Sequence, residues 1–207
     1  MTRRTSSDRL DHAPASGMSQ TFDIQSVTTL LESQEAISQW CEVCRLSDPS
    51  AVSRCVESIA ACGITLDLFA SIINRLSIHL GQVSDPDQTL VSLDRFFHAV
   101  RNPLASAALF DRDPESLPIL LKIFSAGPFL ADLVIADTES WEQIRIGQGR
   151  PVPLVDLKKI IHCELSTLTE PHTVARALRR LKRREILRIA YGDIVSNQTL
   201  ETVVTEI

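Results

Sequence analysis

Cysteine, histidine and clustered acids are the side chains most able to do chemistry in this chain, and each group has a recognisable spacing. Cys41 and Cys44 form a C-x-x-C pair, Cys55 and Cys62 follow, and Cys163 stands apart. Four thiolates are enough to hold a zinc ion. A zinc knuckle, however, wraps its pair around a turn, whereas Cys41 and Cys44 lie in a helical pattern. Cys55 and Cys62 fall on one face of the next helix. The simpler expectation is that they are small buried core residues. A redox pair needs a preceding strand, and none is in sight.

The histidines, His12, His79, His98, His162 and His172, make no H-x-x-x-H or H-E-x-x-H pattern. His98 follows two phenylalanines on an apolar helix and is expected at a core edge. His172 belongs to the first turn of the last helix.

Ser84-Asp85-Pro86-Asp87 contains the carboxylate pair by which nucleotidyltransferases hold two metal ions. That chemistry needs a strand to present alternate carboxylates on one side. Here proline separates the acids and a helical pattern follows, so the segment reads as a helix start. Asp111, Asp113 and Glu115 read the same way. Gly147-x-Gly149 lacks the preceding strand and the third glycine of a phosphate loop, and no G-x-S-x-G elbow occurs.

The sharpest feature is basic. Arg176, Arg179, Arg180, Lys182, Arg183, Arg184 and Arg188 fall within thirteen residues, and only Glu185 offsets them locally. Val174, Ala177, Leu178, Leu181, Ile186, Leu187 and Ile189 are interleaved, which makes an amphipathic helix with most cations on its outer face and borders. Such a face can simply be solvated. It can also meet nucleotide phosphate, an acidic partner or RNA. The net charge of −5 and the absence of interleaved aromatics weigh against nucleic acid.

These residues need elements to carry them, and the pattern is helical nearly throughout. Gly is scarce at 7 in 207 residues, and apolar positions recur at helical spacing. Val27 to Cys44, Val52 to Ala60, Leu66 to Leu80, Leu90 to Val100, Leu117 to Phe124, Phe129 to Ala136 and Leu154 to Leu168 each read as helix. Asn102-Pro103 breaks one, and Asp113-Pro114-Glu115 starts another. The fold class expected is all-α, a multi-helix orthogonal array. A disordered tail is expected over 1–24, a helical lobe over 25–110 and a second helical segment over 111–207, ending in a long basic helix around 171–205. No apolar h-region follows Met1 and no run is long enough for a membrane span, so the reduced cytoplasm is the expected compartment.

Several stretches also carry familiar wording. Ala177-Leu178-Arg179-Arg180-Leu181-Lys182-Arg183-Arg184-Glu185-Ile186-Leu187-Arg188-Ile189-Ala190 resembles the basic helix of the glutamine synthetase adenylyltransferase and adenylyl-removing family. Tyr191-Gly192-Asp193-Ile194 and Leu200-Glu201-Thr202-Val203 resemble its continuation. Asp113 to Leu117, Leu120 to Phe124 and Phe129-Leu130-Ala131-Asp132-Leu133-Val134-Ile135, with Trp141 beyond, resemble the preceding segment. The resemblance spans about residues 90–207. It implies helices leading into a nucleotidyltransferase domain, where a G-S and D-x-D motif binds ATP and magnesium. It further implies glutamine synthetase and a P-II type signalling protein as partners, and regulation of nitrogen assimilation by transfer and removal of AMP.

No such motif occurs up to Ile207, so no catalytic, cofactor-binding or metal-binding residue carries over. The expectation is the N-terminal helical part of such an enzyme, as a fragment, a truncated product or a split subunit, that lacks the catalytic domain. Arg183, Arg184 and Arg188 are expected to contact that domain or nucleotide phosphate. The alternative is a stand-alone helical module whose basic helix binds an acidic protein or RNA.

Overall fold

A computed structural model describes residues 22–196, and the described residues form eleven α-helices and one 3-10 turn, with no strand. The all-α expectation holds. The ends of the chain, 1–21 and 197–207, lie outside the described residues. The disorder expected over 1–24 and the helical continuation expected beyond residue 196 fall mostly there. Where the description begins, Phe22 is already tied down: Asn74 Nδ2 donates to its carbonyl at 2.7 Å.

Local capping chemistry divides the chain more finely than its apolar stripes. The run from Val27 to Cys44 is two helices, α1 (Ile24–Glu32) and α2 (Gln34–Cys44). Ser33 separates them, because its hydroxyl accepts the Ala36 amide at 3.3 Å and caps α2. α3 (Pro49–Ala60) starts with Asp48 as cap and Pro49 at its first position, and α4 (Leu66–His79) runs into the 3-10 turn Leu80–Gln82. α5 (Pro86–Ala99) is capped by Asp85, which accepts the Gln88 amide at 3.0 Å. The Asn102-Pro103 break is also a start: Asn102 accepts the Ala105 amide at 3.0 Å and opens α6 (Pro103–Arg112), a helix that the apolar stripes did not reveal.

α7 (Ser116–Ser125) begins after the Asp113-Pro114-Glu115 signal, and α8 (Pro128–Ala136) follows. The acidic stretch around Trp141 is α9 (Thr138–Gly147), capped by Asp137, which accepts the Ser140 amide at 3.1 Å. α10 (Leu154–Leu165) is three residues shorter than its apolar pattern, and α11 (Pro171–Ile194) is the longest helix, at 24 residues.

One apolar core runs from Val27 to Tyr191. Its centre is α5, packed on α3, α7 and α8. Phe96 and Phe97 meet Phe110 and Phe124 at ring separations of 5.9–6.2 Å. The lobe expected over 25–110 and the described part of the segment expected over 111–207 therefore share a core. α11 packs on α7, α8 and α9 through Leu187 and Tyr191, and Trp141 lies 6.0 Å from the Tyr191 ring. α10 differs from all other helices: it buries no residue fully, and its main packing partner is α11. No described helix is long and apolar enough to cross a membrane.

Candidate functional site

The arginines of α11 divide into two sets. Arg176, Arg179, Arg180 and Arg183 occupy positions i, i+3, i+4 and i+7, a single stripe of the helix. That stripe faces the end of α8 and the start of α9 across an open groove of about 520 Å³, with Arg101 on the far rim. Two acids enter the groove. Asp137 accepts from Arg180 Nε at 2.9 Å, and Glu139 pairs with Arg101 at 3.1 Å. Burial alone would raise the Asp137 pKa, but hydrogen bonds from Arg180 and Ser140 outweigh it and hold the carboxyl below its ordinary value. Arg176, Arg179 and Arg183 are exposed and have no carboxylate partner among the described residues. The groove thus holds five arginines against two acids.

The second set faces the other way. Arg184 lies 3.8 Å from Glu164 and, with Arg188, borders a hollow of about 400 Å³ beside the 147–153 loop. Arg188 is only 8% exposed. It binds Glu185 at 2.8 Å, and its Nη1 donates to the carbonyl of Arg150 at 3.1 Å and of Gly149 at 3.4 Å. Arg183, Arg184 and Arg188 are the three residues expected to contact a catalytic domain or nucleotide phosphate. The structure places Arg183 in the groove, leaves Arg184 half-buried on another side, and commits Arg188 to holding a loop. Arg176, Arg179 and Arg180 join Arg183 instead. Their i, i+3, i+4, i+7 spacing was visible in the sequence; the facing acids and the groove were not.

The loop held by Arg188 is built around Gly149, at φ +63°, and Gln148 before it, at φ +54°. A Cβ on Gly149 would lie 2.8 Å from the Gly192 nitrogen, so two glycines let the loop meet the helix backbone directly. Arg145 reinforces the junction from α9, pairing with Glu142 and with Asp113. Asp113, expected to cap α7, is thus an anchor between the α6–α7 connection and α9, and it also accepts the Glu115 amide at 3.2 Å.

The other candidate residues are accounted for locally. Asp85 caps α5, Asp87 accepts the Ser47 amide at 2.9 Å, and Asp111 accepts the Ser71 hydroxyl at 2.7 Å. Cys41 and Cys44 are buried free thiols whose pKa values burial pushes up, to about 11 and about 12. Cys55 and Cys62 are half-buried and Cys163 is exposed. Cys62 lies in the turn after α3, not on it. There it joins a cluster that the sequence did not announce: Ser58 Oγ is 2.7 Å from His98 Nε2, Asp94 is 3.4 Å from the same nitrogen, and Cys62 Sγ is 3.7 Å from Nδ1. A catalytic relay needs the acid on the nitrogen opposite the nucleophile. Here serine and aspartate share one nitrogen; Cys62 lies on the opposite one, but at 3.7 Å, and burial raises its pKa. The cluster is a polar seam between α3 and α5. Burial lowers the His79 pKa, His162 and His172 are exposed, and His12 lies outside the described residues. Among the described residues no three His, Cys, Asp or Glu side chains are grouped to hold a metal ion.

No protein-family model matches this chain, and no curated protein or solved structure is significantly similar to it.

Proposed function

We propose that this chain is the helical scaffold of a glutamine synthetase adenylyltransferase-like protein, and that its work is to seat a nucleotidyltransferase domain. The observation that carries this reading is α10. A helix of twelve residues with no fully buried side chain, and with Leu154 and Val155 each 64% exposed, is incompletely covered. Its sequence neighbour α11 is anchored firmly at its C-terminal half by Leu187, Arg188 and Tyr191. The α10–α11 hairpin therefore presents an apolar side that a partner domain would bury.

The resemblance supports the identity of that partner, since in the family the basic helix leads into the catalytic domain. ATP and magnesium belong to that domain in this reading, and this chain's own residues supply binding area and orientation. Glutamine synthetase and a P-II type protein would be met by the assembled pair.

The test mixes the purified chain with a separately produced nucleotidyltransferase domain carrying the G-S and D-x-D motif. A complex is expected on size-exclusion chromatography, with α10 amides protected from hydrogen exchange. L154D/V155D is expected to abolish it without unfolding the chain. The reading is overturned if no complex forms, or if the chain alone adenylylates or deadenylylates glutamine synthetase.

A further inference from the structure

We infer that the groove between α11 and the α8–α9 junction is a binding site for a linear phosphate chain, either free or as the tail of a nucleotide. The inference is independent of the α10 docking surface, which lies on another part of α11.

The argument begins with charge. The whole chain carries −5, yet this one groove holds five arginines and two acids. On α11 the stripe places like charges three and four residues apart, and each such pair destabilises the free helix. No acid on α11 is spaced to relieve it: Glu185 is bound to Arg188, on the other side. An anion in the groove would remove that repulsion.

The second point is geometry. The two acids are already used. Asp137 caps α9 and fixes Arg180, and Glu139 pairs with Arg101. Arg176, Arg179 and Arg183, on the same stripe as Arg180, have no carboxylate partner among the described residues. From Arg176 to Arg183 the helix advances about 10 Å at 1.5 Å per residue. Three guanidiniums along that length suit an extended anion with several charged groups better than a single compact one. Guanidinium is also the side chain that meets phosphate oxygens with paired donors.

The third point is what the lining lacks. It is arginine, alanine, isoleucine, threonine and acid, with no aromatic side chain. A nucleobase would find no aromatic stacking platform there. Recognition must rest on the phosphates, so base identity should not matter.

The experiment is calorimetric titration of the full chain at low salt with inorganic tripolyphosphate, ATP, GTP and orthophosphate. Tripolyphosphate and the two nucleotides are expected to bind with similar affinity, orthophosphate at least about tenfold more weakly, and affinity is expected to fall as salt rises. R176Q/R179Q/R183Q should weaken tripolyphosphate binding at least about tenfold while the thermal midpoint stays the same or rises, because glutamine matches arginine in helix propensity and the like-charge repulsion is relieved. The charge-matched variant R54Q/K158Q/K182Q, at exposed sites outside the groove, should bind as the parent does. Binding of ATP and GTP at least as tight as that of tripolyphosphate assigns the groove to nucleotide tails, and tighter binding of tripolyphosphate assigns it to the free chain. Absence of binding, an equal loss in the charge-matched variant, a strong preference for one base, or tighter binding of single-stranded RNA than of tripolyphosphate would each overturn the assignment.

Discussion

Gly149 shows how much a single position decides here. Its backbone lies in the left-handed region at φ +63°, and the Gly192 nitrogen, the Tyr191 ring and the Arg188 carbonyl all lie within 3.0 Å of where a Cβ would stand. Two of those neighbours are helix backbone and cannot move aside without unwinding α11. Gly149→Ala is expected to cost about 2–4 kcal/mol, the sum of left-handed strain and overpacking. Chemical denaturation measures it, and a cost under about 1 kcal/mol would mean that the loop does not sit on the helix as described. Arg188 belongs to the same junction. Its charge reads in the sequence as one more surface cation, but its guanidinium holds the Arg150 carbonyl and Glu185 in a site that is 8% exposed. Sequence spacing cannot distinguish a buried arginine from a solvated one, because the distinction depends on the carbonyls that a distant loop brings to it.

Among the elements, α9 depends most on one side chain. Asp137 caps the helix through the Ser140 amide and ties its start to α11 through Arg180. The folded carboxyl has a pKa below its ordinary value of 3.8. Its contribution is therefore complete above the unfolded value and is lost as pH falls through the lower, folded value. Asp137→Ala is expected to cost about 1–2 kcal/mol at neutral pH, most of it from the cap. Asp137→Asn keeps a capping oxygen and should cost less. The gap between parent and Asp137→Asn should close as pH falls below about 3.8, as charge linkage requires. A gap that persists at acid pH in urea titrations would show that the Arg180 pair is not its source. Capping also explains which helices the sequence disclosed. Pro49 and Pro86 at first positions marked α3 and α5 plainly. Asn102-Pro103 carried the same signal for α6, but a break and a start look alike until the Ala105 amide is seen on Asn102.

At the scale of the molecule, stability is unevenly spread. α5 and α7 carry Leu93, Phe97, Leu117, Leu120, Leu121 and Phe124 at 0% exposure, whereas α10 has no fully buried residue. Native-state hydrogen exchange should therefore find α10 amides exchanging roughly 100-fold or more faster than those of α5 and α7. Equal protection in the isolated chain would mean that α10 is already covered, and would remove the reason to seek a partner domain for it. Self-association is separated from folding by repeating the measurement at two protein concentrations.

The all-α class, most helix starts and the amphipathic character of the last helix were legible along the chain. These are local properties: apolar period, prolines at first turns, and short polar caps that bond amides three residues away. How the α11 arginines are divided depends on the packing of distant segments. Arg176, Arg179, Arg180 and Arg183 face Asp137 and Glu139 across a groove because α8 ends and α9 begins beside that stripe. Arg188 is turned inward because the Gly149 loop lies against Gly192. Both outcomes rest on contacts between residues about forty positions apart. Charge and spacing along one helix hold no information about which carbonyls and carboxylates the rest of the chain will bring to it.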